Sequence, residues 1–169
     1  MDHTDLIQQL AANVKTVRNL VSVASAEEIR FKPGPEKWSI LEVINHLFDE
    51  EKDDFRTRLR LTLEDQGEEW PPIDPDGWAV KRRYNERDFE ESHSNFEKER
   101  AASLEWLTRL EDPDWEAFRE HPLAGKLTAG DLLSAWVAHD FLHIRQLVNI
   151  RLAYMEHRVK PYSIRYASP

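Results

Sequence analysis

Ala135-Trp136-Val137-Ala138-His139-Asp140-Phe141-Leu142-His143-Ile144-Arg145-Gln146 sets two histidines four residues apart inside a long helical pattern. On a helix, positions i and i+4 are neighbours, with Cβ atoms about 5–6 Å apart. Two imidazoles at that spacing can converge on one cation, at metal–nitrogen distances of about 2.0–2.1 Å for zinc. The apolar stripe of this helix runs through Leu132, Trp136, His139, Leu142, His143, Leu147 and Ile150, so the histidines are expected to face the interior. The helix opens at Thr128, where Thr128 and Asp131 form a loose capping box, and runs to about Arg158, ahead of Pro161.

Three more helices are predicted upstream. Helix one spans about Thr4 to Ser25, with Leu6, Leu10, Val14, Val17, Leu20 and Val21 at helical spacing; the stretch from Ala26 to Pro35, with Pro33-Gly34-Pro35, breaks that pattern. Helix two opens at Ser39, which forms a capping box with Glu42, while Trp38 and Val43 are placed to form a hydrophobic staple. It continues to about Leu63 on Ile40, Ile44, Leu47, Phe48, Phe55 and Leu59, with His46 at the edge of that stripe. The acidic, proline-rich segment from Glu64 to Asp76 reads as a solvated loop crossing the bundle, held by Trp70 and Trp78. Helix three runs from Asn85 or Asp88 to Leu110, burying Phe89, Phe96, Leu104, Leu107 and Leu110 and exposing Glu90, Glu91, Glu97, Lys98, Glu99 and Arg100. A second broken stretch, Glu111 to Leu127, precedes the last helix, and no convincing strand is visible. The expectation is an all-α fold: one four-helix-bundle domain over residues 1–169, with long loops after helices two and three that leave room for crossovers.

Composition narrows the function. The 169 residues suit one domain, and a formal net charge of -9 repels phosphate backbones, which argues against a nucleic-acid partner. The first residues lack a basic segment followed by an apolar one, and no apolar run approaches the ~20 residues of a membrane span, so a cytoplasmic protein with no membrane partner is expected. The absence of cysteine removes disulfides, thiolate ligands and a cysteine nucleophile, so any metal site must use histidine and carboxylate. Five glycines form no phosphate-binding loop, and the six tryptophans are assigned to packing.

His139 and His143 supply two ligands, and a third must come from elsewhere. His46, on a long helix beside its apolar stripe, is the best candidate; His3, His93, His121 and His157 are rivals that sequence position assigns to the surface. Three histidines leave a coordination position open, as catalytic sites do. Glu50 and Gln146, each one turn beyond a candidate ligand, are placed to orient the imidazoles, and Glu50 is also a candidate base. Asp140 lies about 100° round the helix from His139 and is a poor direct ligand. The competing reading is that the histidines are ordinary hydrogen-bonded core residues.

The segments Trp38-Ser39-Ile40-Leu41-Glu42-Val43-Ile44-Asn45-His46-Leu47 and His139-Asp140-Phe141-Leu142-His143-Ile144-Arg145-Gln146 resemble the two signature regions of the DinB-like (DinB/YfiT) superfamily, in order and in spacing. The resemblance covers nearly the whole chain. It implies a four-helix bundle with a three-histidine divalent-metal site, which maps onto His46, His139 and His143, with zinc or nickel as the metal. It further implies a metal-dependent enzyme of the thiol S-transferase or hydrolase type acting on a small-molecule substrate, with a low-molecular-weight thiol as a second cofactor in the transferase case, and a homodimer. The alternative is a non-catalytic, metal-stabilised or ligand-binding bundle with a role in stress.

Overall fold

The computed structural model describes residues 2–64 and 67–167. Helix α1 (His3–Val21) starts at Asp2, which forms a capping box with Asp5. It ends earlier than its periodicity suggests, because Ser25 caps a separate short helix, α2 (Ala26–Arg30), where the sequence reading has only a break. Helix two is found as one rod with an internal defect. Helix α3 (Ile40–Asp49) opens on the predicted Ser39–Glu42 box, a π-helical turn follows over Glu50–Phe55, and α4 (Arg56–Glu64) completes it. The acidic crossing contains a further short helix, α5 (Pro75–Lys81), capped by Asp74. Helices α6 (Phe89–Thr108) and α7 (Ala129–Arg158) lie within a residue or two of their expected bounds, with Asp88 and the Thr128–Asp131 box at their starts.

Between α6 and α7 the chain forms an antiparallel hairpin of β1 (Phe118–His121) and β2 (Gly125–Thr128). Sequence reading missed it because two four-residue strands carry too little alternation to register. Gly125 closes the turn at φ +71, a conformation that glycine adopts without strain. The crossing loop bears on this end of the bundle: Trp70 packs on the core there, beneath the Arg58 guanidinium and 6.1 Å from the His121 ring.

Helix α1 packs against α6 and α7, and the α3–α4 rod packs against the same two. Elements consecutive in the chain, α1 and the rod, or α6 and α7, therefore stand at opposite corners of the bundle. The diagonal steps are made after α1 and after α6, so the connection after the first helix is a crossover that its modest length did not suggest.

The core is divided in two along the bundle. One apolar cluster holds Val17, Val21, Ile40, Val43, Ile44, Leu47, Phe96, Leu147 and Ile150; the other holds Leu10, Leu59, Leu107, Leu132, Leu133, Trp136 and Val137. Between them each helix contributes a polar side chain no more than 1% exposed: Asn13 from α1, Glu51 from the π turn, Arg100 from α6 and Asp140 from α7. Arg100 is thus a correction to the solvated face read from the sequence, and Leu142, read as core, is 52% exposed.

All five N–H groups of Arg100 are used. Nε donates to Glu51 Oε1 at 2.7 Å, Nη2 to Glu51 Oε2 at 2.8 Å and Asp140 Oδ1 at 2.9 Å, and Nη1 to Asp140 Oδ2 at 2.7 Å and the Leu10 carbonyl at 3.1 Å. Asn13 Nδ2 donates to Asp140 Oδ2 and Trp136 Nε1 to Glu51 Oε2. Removing one partner from such a layer strands the other charges in a dry core. Arg100→Met is expected to cost about 3–5 kcal/mol in urea unfolding, whereas exposed Arg109→Met should cost under about 0.5 kcal/mol. A loss below about 1 kcal/mol for Arg100→Met would remove the layer as the bundle's central constraint.

Candidate metal centre

The capping box at Ser39 fixes where α3 begins, and with it the direction in which His46 points seven residues on. Ser39 is itself held from outside the helix, its hydroxyl donating to Asn85 Oδ1 at 2.6 Å, and Lys32 pairs with Glu42 at 3.0 Å. On α7, the bonds from Asp140 to Arg100 and Asn13 fix the rotation of the helix, and so the direction of His139 and His143 on the neighbouring positions.

These two constraints bring the three predicted imidazoles together. His46 Nε2 lies 3.1 Å from His139 Nε2 and 3.0 Å from His143 Nε2, and the last two are 3.1 Å apart. Ligand atoms about 2.0–2.1 Å from a common tetrahedral or octahedral centre are separated by roughly 2.9–3.4 Å, so the triangle has the dimensions of one face of a coordination sphere. Among the described residues these histidines are the group whose donor atoms converge closely enough to hold one ion. A proton on one Nε2 can point along only one side of the triangle, and the remaining lone pairs then face each other. A cation in common satisfies all three.

The electrostatics favour the ligating form. Burial, then the neighbouring His143 and His139 rings, pushes the His46 pKa down to about 2; burial, then His143 and Arg100, pushes His139 down to about 3. Burial also lowers His143, against the opposing effect of its bond to Gln146. The imidazoles are therefore neutral at neutral pH, as metal ligation requires. His143 Nδ1 lies 2.7 Å from Gln146 Oε1, which places the proton on Nδ1 and leaves the Nε2 lone pair facing the triangle.

Among the described residues His46 Nδ1 is buried with no hydrogen-bond partner, and so is Oε1 of Glu50, 3.9 Å away. Burial, then the charge of Asp54, pushes Glu50 up to about 8, with Arg58 opposing. A cation held by His46 would act in the other direction and favour the carboxylate. Glu50 thus faces the back of a candidate ligand.

Two aromatic rings flank the triangle. Trp38 lies 4.7 Å from the His46 ring and parallel to His143 at 6.3 Å, and Phe55 lies 5.0 Å from His139 while stacking on Trp136. Sequence reading assigned Trp38 to a helix staple; it also packs in the cluster that holds Val43, so one residue serves both ends. On the outer side His143 and Trp38 form part of a cleft of about 540 Å³, completed by Pro33, Lys37, Leu142, Arg145, Gln146, Asn149 and Ile150. That volume is within the range of small-molecule sites. Nothing in the spacing of Lys37 or Arg145 identified them, because the cleft is assembled from a loop and a helix more than a hundred positions apart.

The rival histidines lie elsewhere. His3 stacks on Trp115 at 4.4 Å, and His157 faces Phe31 at 5.8 Å. His121 sits on β1 and accepts from the Leu123 and Ala124 amides. His93, assigned to the surface by sequence, is only 16% exposed, stacked on Phe89 and 3.7 Å from Glu97.

Among solved structures, YfiT from Bacillus subtilis, described as "a probable metal-dependent hydrolase with an unusual four-helix bundle topology", superposes with a TM-score of 0.77 at 19% identity, over 88% of this chain and 85% of its own. TT2238, described as "a four-helix bundle protein", superposes with a TM-score of 0.63 at 19% identity, over 88% of this chain and 99% of its own. At such identity both likenesses concern the fold. No curated protein matches the chain in sequence. The sequence profile of the DinB superfamily matches residues 9–147, which include all three converging histidines, and the chain belongs to that superfamily.

Proposed function

We propose that the protein is a metal-dependent enzyme in which His46, His139 and His143 bind one divalent cation, and that it acts on a small molecule lodged in the adjoining cleft. The observation that carries this reading is the triangle of Nε2 atoms with sides of 3.0–3.1 Å. Imidazole ligands suit zinc and nickel alike. When bound, such a cation supplies Lewis acidity and lowers the pKa of coordinated water or thiol. The side chains supply the rest. Gln146 holds the His143 tautomer, Glu50 faces His46 Nδ1 across 3.9 Å as its candidate acceptor, and Trp38 and Phe55 limit water at the flanks. Glu50 acts in this reading as a positioning residue, since it meets the ligand and not the substrate. The description of YfiT supports hydrolysis as the reaction class; a thiol transfer would use the same centre with a low-molecular-weight thiol in place of water.

Untagged protein is expected to carry about one zinc or nickel per chain by elemental analysis, and His46→Ala or His143→Ala to carry none. Because the ligands join α3 to α7, saturating metal should stabilise the wild type by about 3 kcal/mol at a hundredfold excess over Kd, and chelation should reverse this. Metal retained in full by either variant would refute the ligand set; metal present with no turnover of activated esters or of a thiol with a model electrophile would favour the non-catalytic bundle.

Gln146→Leu and Glu50→Gln are expected to weaken metal affinity by about 10–100-fold without changing the stoichiometry. Competition with a chromophoric chelator measures this, and unchanged affinity in both would remove their orienting roles.

The metal-free protein has a further signature. His139 titrates at about 3 when folded and near 6.5 when unfolded, so only the unfolded chain gains its proton as the pH falls below 6.5. Proton linkage at this residue therefore leaves the fold unpenalised above that pH and opposes it below. Glu50, raised to about 8, shifts stability the other way, so the informative quantity is the difference between wild type and His139→Phe. That difference should move in favour of the variant by about 2 kcal/mol from about pH 7 to about pH 5. Parallel pH profiles would show that the imidazole is not held neutral.

A further inference from the structure

We propose that the cleft beside the triad binds a small organic anion, its carboxylate or phosphate head held between Arg145 and Lys37 and its apolar body laid on Trp38 and Leu142. The proposal deepens the metal-enzyme reading, on which it rests for treating this cleft as the substrate's seat.

The chain carries a formal net charge of -9, and its arginines are mostly committed to partners: Arg18 to Glu97, Arg56 to Glu99, Arg58 to Asp54, Arg82 to Asp49 and Asp53, Arg100 to Glu51 and Asp140. The neighbouring groove on α7 shows the same rule. Arg151 and Arg158 line it, and they are paired with Glu28 and Glu27. The cleft beside the triad is different. Arg145 and Lys37 both line it, neither side chain has an ion pair or hydrogen bond among the described residues, and no carboxylate is among the lining side chains. Two uncompensated cations therefore face one concavity in a protein whose formal net charge is -9. Each comes from a different element: Lys37 from the loop ahead of α3, Arg145 from α7, two residues beyond His143.

The remaining walls choose the kind of anion. Trp38, with Leu142 half exposed at the rim, offers apolar surface, while Asn149 and Gln146 contribute neutral amides. A bare inorganic ion would leave that surface wetted, whereas a molecule with an apolar body and an anionic head uses both parts. A guanidinium and an ammonium serve a carboxylate or a phosphate equally, so the shared chemistry is a singly or doubly charged oxyanion. Because His143 is part of the same wall, a head group held by Arg145 keeps the body of the molecule beside the triad.

Calorimetric titration tests this on protein whose metal content has been measured, with 4-phenylbutyrate, 3-phenylpropyl phosphate and the neutral 4-phenylbutanol as probes. At least one anion should bind about tenfold or more tightly than the alcohol, and the preference should fade as salt is raised. Arg145→Gln combined with Lys37→Gln should bring the anion down to the level of the alcohol, with metal content and far-ultraviolet circular dichroism unchanged. The tighter of the two anions identifies the head group. Equal binding of alcohol and anions would overturn the proposal, and so would anion binding that survives the double substitution, since the anion would then be seated on the metal or elsewhere. The two readings fail separately. Charge-dependent binding in protein that takes up no metal would sink the metal centre and leave the anion cleft standing; a metal-loaded protein blind to the charge of the probe would do the reverse.

Discussion

The guanidinium of Arg100 lies at the middle of the bundle with each of its five N–H groups engaged, and the positions of the four long helices follow from that fact. Bare apolar surfaces allow helices to slide and rotate at modest cost, because any well-filled packing is nearly as good as another. A buried arginine does not allow it. Its fork has fixed geometry, and a shift of α6 against the π turn or α7 leaves a carboxylate or an N–H unpaired in a dry environment, where the penalty is several times that of a lost contact. Glu51, Asp140, Asn13 and the Leu10 carbonyl together tie α6 to the rod, to α7 and to α1, so the layer sets register for all four at once.

The candidate metal centre is built on that register. Glu50 precedes Glu51 and His139 precedes Asp140, so each of the two clamp carboxylates has a site residue as its neighbour in sequence. The π turn has a part in this. Adjacent Glu50 and Glu51 are both buried, Glu51 toward Arg100 and Glu50 toward His46, in a wider turn than an α-helix supplies. The layer of Arg100, Glu51 and Asp140 carries one net negative charge, and it lies beside three imidazoles that burial keeps neutral. An interior with surplus negative charge next to a set of neutral nitrogen donors is a favourable place for a divalent cation. Around it the charge pattern reverses toward solvent, where Arg145 and Lys37 face a cleft without carboxylates.

Much of this was legible residue by residue. Capping boxes at Ser39 and Thr128 placed the starts of two helices within a residue, since a cap depends on side chains three positions apart and on nothing distant. The pair His139 and His143 was readable for the same reason. The errors share a cause as well. Arg100 was read as solvated because it is charged, yet it falls on the stripe between Phe96 and Leu107. Helical spacing places it inside while residue type argues the other way, and type gives the wrong answer when four polar residues from four helices satisfy one another. The hairpin before α7 and the short helices α2 and α5 escaped notice because each is too brief for a period to establish itself.

From its sequence alone the protein has four long amphipathic helices, their starting points, and a pair of histidines on one turn of the last, because these depend on interactions between residues a few positions apart. That His46 meets that pair across ninety-three intervening steps of chain, that α1 and the rod stand at opposite corners, and that Lys37 and Arg145 share a cleft were decided only in three dimensions. Those outcomes depend on how the helices rotate against one another, and that rotation is fixed by a buried network whose members recognise each other only once the chain has brought them together.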